Sequence, residues 1–263
     1  MSEQLLLKKI ENGVCTLTIN RPQKANSLNL ETLKEIISTM EELRDEQKAR
    51  VVVIRGAGGK AFCAGMDIGQ IPSSGDAKGH NVQELFERSL TAVREVPVPV
   101  IAMINGFCVG AGLELAVNCD IRIACETAKL GITPAKLGLI YHPEGLKRFL
   151  ALIGPSAAKE LFFTGRLITA GKAAGIGLVN EVAPNEQLEE GVYRLAREIA
   201  VNAPMSVHGH KYIINRMTDK MFDLEEKETC IISEMIVQAF NSEDLLEGKR
   251  AFLENRKPEF KGK

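Results

Sequence analysis

Two runs, "VVVIRG" (51–56) and "PVPVIAMING" (97–106), constrain the fold of this chain more than any other feature. Each is almost continuously apolar until its last residues. A strand with one wet face alternates, so an unbroken run belongs to a strand covered on both sides, usually in a parallel sheet. Parallel strands need long crossovers, and helical patterns lie where crossovers should be. From Leu30, apolar residues recur at Leu33, Ile36, Ile37, Met40 and Leu43, with Asn29 placed as an N-cap. A second stripe carries Val82, Leu85, Phe86, Leu90 and Val93 inward. "GAGLELAVNC" (110–119) starts with glycines and turns helical, and "DIRIAC" (120–125) follows as another strand. At the start, "LLLKKI" and "VCTLTI" flank Asn12-Gly13, which predicts a tight hairpin. The alternation predicts an α/β fold with repeated crossovers.

Beyond Pro143 the pattern becomes mainly helical, with caps and stops expected at Pro155, Thr169, Pro184, Pro204 and Asp223. Only "GLVNEVA" (177–183) still reads as a strand there. "CIISEMIVQAF" (230–240) carries more apolar surface than one exposed helix leaves in water. It predicts burial against the rest of the chain or against a second copy, and a homo-oligomer is expected. The domain expectation is a core over 1–200 and a helical region over 201–263 that serves oligomerisation and closure of the site.

Charge excludes some functions. Lys plus Arg total 33 against 34 Asp plus Glu, so the basic surplus of a nucleic-acid binder is missing. The six cysteines form no C-x-x-C pair; they read as buried free thiols of a reducing compartment, with no disulfide framework and no metal site. The amino-terminal apolar segment is too short for a signal peptide, and no stretch approaches a membrane span. The expectation is a cytoplasmic, soluble protein with no membrane partner.

The two buried strands lead into loops of one style. The first reaches Ala64-Gly65-Met66 in "FCAGMDI", and the second reaches Gly110-Ala111-Gly112 just before a helix. Small residues let a ligand approach the backbone closely. If the loops lie side by side, their free N–H groups converge on one ligand oxygen, helped by the positive end of the helix. Either glycine cluster alone would signify no more than a turn. Glu114 changes that balance, because it sits in an otherwise apolar helical start where a carboxyl can serve as general acid or base.

These segments, with "NRPQKANSLN", "PVIAMINGFCVGAGLELAVNCDIRIA" and "EGKRAFLENRKPEF", resemble the crotonase superfamily, the enoyl-CoA hydratase/isomerase family, nearly end to end. The resemblance implies a crotonase-like fold of repeated ββα units, with C-terminal helices at a trimer interface and often a dimer of trimers. It implies an acyl-CoA substrate whose thioester oxygen is held as an enolate, with coenzyme A entering as part of the substrate and no permanently bound cofactor. The family's oxyanion donors correspond to the N–H groups of Met66 and Ala111. Ala25, Ala64, Asp67 and Ile68 fall where the family holds pantetheine and adenine, and Lys24 is placed to meet a phosphate. The acyl group is expected to depend partly on the loop from about Pro72 to Val82.

The chain also departs from the family pattern. The second glutamate of the two-carboxylate hydratases falls at Pro134, which cannot ionise. Downstream, "GLIYHPEGL" offers Tyr141 and His142. Tyr141 falls where methylmalonyl-CoA decarboxylase, a member of the superfamily, has a tyrosine, and His142 where other members use aspartate. "ITPAKLG" and "KELFFTG" also resemble that decarboxylase, although it carries histidine where Met66 stands. The implied function is a lyase that stabilises a thioester enolate and leans to decarboxylation of a malonyl- or methylmalonyl-type thioester, with Glu114, Tyr141 and His142 as catalytic residues. A hydratase or isomerase using Glu114 with a non-standard partner stays open. So does a non-catalytic acyl-CoA-binding protein.

Overall fold

The computed structural model describes residues 4–46, 48–70 and 78–262, without the side chains of residues 68 and 78–81. Strands β1 (Leu6–Glu11) and β2 (Val14–Ile19) form the expected hairpin, with Glu11 opposite Val14. Its two-residue turn takes positive φ at both Asn12 and Gly13, the geometry that matches the twist of the strands. Helix α1 (Leu30–Glu46) follows, capped by Asn29, whose Oδ1 accepts the Thr32 N–H at 2.9 Å. Its expected stripe of Leu33, Ile36, Ile37, Met40 and Leu43 is buried throughout.

Three successive units then repeat one plan. Strand β3 (Val51–Gly56) leads to a short β4 (Ala61–Cys63) and helix α2 (Lys78–Glu95). Next, β5 (Val100–Ile104) leads to β6 (Phe107–Val109) and α3 (Ala111–Val117). The third unit is β7 (Ile121–Cys125), β8 (Lys129–Gly131) and the long α4 (Pro143–Thr164). The longer strand of each unit joins one six-stranded sheet, ordered β1-β2-β3-β5-β7-β10, parallel from β2 onward. The short strands join a four-stranded sheet, β4-β6-β8-β9. This is the stacked ββα architecture that the resemblance implied, and the buried run Val51–Ile54 shows why its strands do not alternate.

Chain and expectation differ at several places. The strand expected at 97–106 is confined to Val100–Ile104, because prolines 97 and 99 have no N–H for the ladder. Pro99 still contributes its carbonyl, which accepts the Val52 N–H at 2.8 Å. At the other end the Asn105 amide bonds both backbone groups of Gly56 and the carbonyl of Gly58, tying the ends of β3 and β5 together where the loops begin.

In α4 the backbone breaks at Gly154, one residue before Pro155. A strand the sequence did not suggest, β9 (Ile168–Thr169), pairs antiparallel with β8, and Thr169 then caps α5 (Ala170–Gly175). Of "GLVNEVA" only β10 (Glu181–Ala183) is strand. Helices α6 (Leu188–Ala200), α7 (Pro204–Asp219), α8 (Glu226–Phe240) and α9 (Glu243–Leu253) complete the chain. Asp223 ends a short 3-10 turn rather than capping α8, whose capping box is built from Glu225 and Glu228.

The segment 230–240 is not buried against the rest of this chain: no residue of α8 is. Helix α9 does turn back, with Leu245 and Ala251 buried. Among the described residues no helix is long and apolar enough to cross a membrane.

Candidate active site

The two glycine-bearing loops lie side by side. Gly65, at φ +108°, stands so close to the second loop that a Cβ there would sit 3.1 Å from the Val109 carbonyl and 3.6 Å from the Ala111 nitrogen. Any other residue would be strained in that conformation and would push the strand ends apart.

The backbone around Met66 explains which way its N–H faces. Leu28 donates to the Gly65 carbonyl and accepts from the Asp67 N–H, both at 2.8 Å. That parallel bridge uses the groups on either side of Met66 and leaves the Met66 N–H on the opposite edge. Ala111 is the first residue of α3, where a helix offers its N–H no internal acceptor. Both Met66 and Ala111 line one cavity of about 710 Å³.

Glu114, Tyr141 and His142 line that same cavity, as do Ala64 and Pro134. Glu114 is one helical turn in from Ala111 and only 6% exposed. The first turn of α4 crosses directly over it at Gly145, where a Cβ would fall 2.3 Å from Glu114 Oε1. Burial pushes the Glu114 carboxyl up to about 8; the nearby charge of Glu87 adds to that, and a hydrogen bond with Tyr141 opposes it. The carboxyl is therefore mostly protonated at neutral pH. Burial and the neighbouring Glu114 raise the Tyr141 phenol well above its ordinary range, so it stays neutral. Its ring packs edge-on against Phe162, which meets Phe149 in the same way, and this fixes the hydroxyl's position. His142 occupies the N-cap position of α4 but makes no capping bond; its Nδ1 lies 3.6 Å from Glu87 Oε1.

The residues expected to hold the CoA chain are less closely gathered. Ala25 adopts a left-handed conformation after the 3-10 turn Pro22–Lys24, and its carbonyl accepts the Ala64 N–H at 3.0 Å. Asp67 is ion-paired with Arg21 at 3.0 Å, which braces the loop. Neither Lys24, Ala25 nor Asp67 lines the cavity. Lys24 is exposed, and the Ile68 side chain lies outside the described residues, as do residues 71–77 of the loop expected to help set the acyl pocket.

Other wall residues gave no separate signal in the sequence. Thr133 precedes Pro134 in the wall, Gln83 faces in from α2, and Ile236, Phe240 and Phe252 reach in from α8 and α9. Five of the cysteines are buried and Cys230 is exposed. Burial lifts the thiols of Cys63 and Cys119 to about 12, which leaves them without nucleophilic character. Among the described residues no cluster of His, Cys, Asp and Glu could hold a metal.

Stacked ββα units thus bring the backbones of Met66 and Ala111 and a buried acid onto one cavity. The sequence matches the enoyl-CoA hydratase/isomerase family over residues 9–263, and the chain belongs to that family. It is 36% identical to the short-chain-enoyl-CoA hydratase of Clostridium acetobutylicum, over 97% of this chain and 96% of that one. Among solved structures it superposes on methylmalonyl-CoA decarboxylase in complex with 2-nitronate-propionyl-CoA with a TM-score of 0.92, 28% identity and full coverage of both chains. An enoyl-CoA hydratase from Bacillus anthracis gives a TM-score of 0.79 at 35% identity, covering 99% of this chain and all of that one. The protein is thus an acyl-CoA enzyme of the crotonase superfamily.

Proposed function

We propose that this enzyme decarboxylates a malonyl- or methylmalonyl-type CoA thioester through an enolate. The observation that carries this is the buried Glu114–Tyr141 pair facing a cavity in which Pro134 stands where a second carboxylate would be needed for hydration. A carboxyl that titrates at about 8 is a proton donor at neutral pH and a poor base for activating water. Decarboxylation needs no base at the outset. The bond from the α-carbon to the carboxylate breaks, CO2 leaves, and the electron pair passes into the thioester enolate. The N–H groups of Met66 and Ala111 would hold its oxygen, each donor worth roughly 3 kcal/mol in the transition state. Glu114 then gives its proton to the α-carbon. The apolar wall, including the Met66 side chain, favours loss of the localised carboxylate charge. The close superposition on methylmalonyl-CoA decarboxylase supports the same chemistry.

Hydration is the second reading, favoured by the hydratase relative at 36% identity. A panel of CoA thioesters separates the two. Release of CO2 from malonyl- or methylmalonyl-CoA is expected, declining as pH rises through about 8 when Glu114 loses its proton. Hydration of crotonyl-CoA faster than that release would overturn the proposal. CoA thioesters that bind without turnover would instead mark a non-catalytic protein.

The working form is proposed to be a homo-oligomer in which copies cover α7 and α8. Ile213, Ile214 and Met217 on α7 and Ile231 and Met235 on α8 are otherwise about half exposed or more.

A further inference from the structure

On the α2 side of the cavity stands an arrangement to which the enolate chemistry assigns no role. Gln83 Nε2 donates to Glu87 Oε1 at 2.9 Å, one turn along α2. The same oxygen lies 3.6 Å from His142 Nδ1, across from a different element. That ring nitrogen is buried and forms no hydrogen bond, so the carboxylate is its nearest ionic neighbour among the described residues. His142 itself lines the cavity, and its side chain is 42% exposed.

Lys136, Arg256 and Lys257 also line the cavity. Lys136 rests its stem against Gly165, and Arg256 is bound to Glu247 and Glu254 beside α9. Among the described residues, the charged and hydrogen-bonding groups acting on Glu114 are Glu87 and Tyr141. Among the described residues lining the cavity, His142 follows Tyr141, the hydrogen-bond partner of Glu114.

We propose that the Glu87–His142 pair anchors a free carboxylate on the acyl group, with Glu87 as a positioning residue that sets the imidazole ring against the cavity wall. This rests on the decarboxylase reading above and adds its means of substrate selection. With Nδ1 turned toward Glu87, the second ring nitrogen can donate a hydrogen bond to a carboxylate in the cavity. Because the Glu87 carboxylate lies against the same ring, the anchor orients the substrate carboxylate without holding it as firmly as a lone guanidinium would. That suits a group that must leave as CO2. Among the described residues, Gln83 on α2 bonds Glu87, Glu114 on α3 feels its charge, and Tyr141 precedes His142, with Glu144 and Lys147 in the first turns of α4. Glu144 and Lys147 bond each other at 2.9 Å.

The test uses equilibrium binding of two thioesters of matched length: succinyl-CoA, with a terminal carboxylate, and butyryl-CoA, without one. The full-length enzyme is expected to bind succinyl-CoA about tenfold more tightly at pH 7. His142→Gln abolishes that preference at every pH. Glu87→Gln lowers it severalfold and Glu87→Asp restores part of it, whereas a purely structural defect would weaken both thioesters alike. Butyryl-CoA binding stays unchanged in both variants, which also reports that they fold. Equal binding of the two thioesters by the native enzyme, or an unaltered preference in Glu87→Gln, overturns the anchor. Failure of CO2 release with the preference intact would overturn the decarboxylase reading and leave the anchor standing.

Discussion

Glu114 is held uncharged in a helix that buries every one of its side chains, and this leaves a thermodynamic signature. In the unfolded chain a glutamate titrates near 4.3, while here burial sets the value at about 8. Between those values the native state keeps a proton that the unfolded state has lost. Stability therefore falls as pH rises across that window and levels off above it. Glu114→Gln removes the titration, so the variant should gain on the native protein between pH 5 and pH 8, by on the order of a few kcal/mol at the upper end. Thermal melts at several pH values measure this, and parallel curves would contradict the burial argument. The sequence exposed Glu114 because a lone carboxylate among apolar residues is conspicuous. Glu87 was not legible, since a glutamate on an amphipathic helix looks the same whether it meets solvent or an imidazole.

At the scale of elements, local chemistry was readable wherever one residue sets the geometry. Asn29 caps α1 through the Thr32 N–H, and Asn29→Ala should cost about 1 kcal/mol in urea denaturation, with the slope unchanged. The hairpin at Asn12-Gly13 was equally plain. The short strands β4, β6, β8 and β9 were not, because each has two or three residues and no periodicity to detect. They exist because each of β4, β6 and β8 follows a longer strand of its unit and pairs with its counterpart in a neighbouring unit, with β9 closing the edge against β8. Pro155 marked the break in α4 correctly within a residue, while Asp223 misled, since the capping box two residues further on competes better for the helix start.

For the whole molecule, the apolar faces of α7 and α8 are the strongest unmet demand. Both helices leave all their residues unburied in the single chain, which is costly for side chains such as Ile214 and Met217. Light scattering after size exclusion should give a mass several times 28.8 kDa, and Ile231→Glu with Met235→Glu should shift it toward the monomer. A monomeric native protein would remove this expectation.

The sequence by itself determined the buried parallel strands, the crossover plan, the two small-residue loops and the isolated acid. Each depends on residues near one another in the chain, where volume, periodicity and backbone freedom act directly. Tertiary structure decided that the loops meet within ångströms, that Gly145 of α4 lets its first turn press on Glu114, and that Glu87 faces His142. Those pairings cross tens of residues, and they follow from how helices stack on the sheets rather than from any local preference.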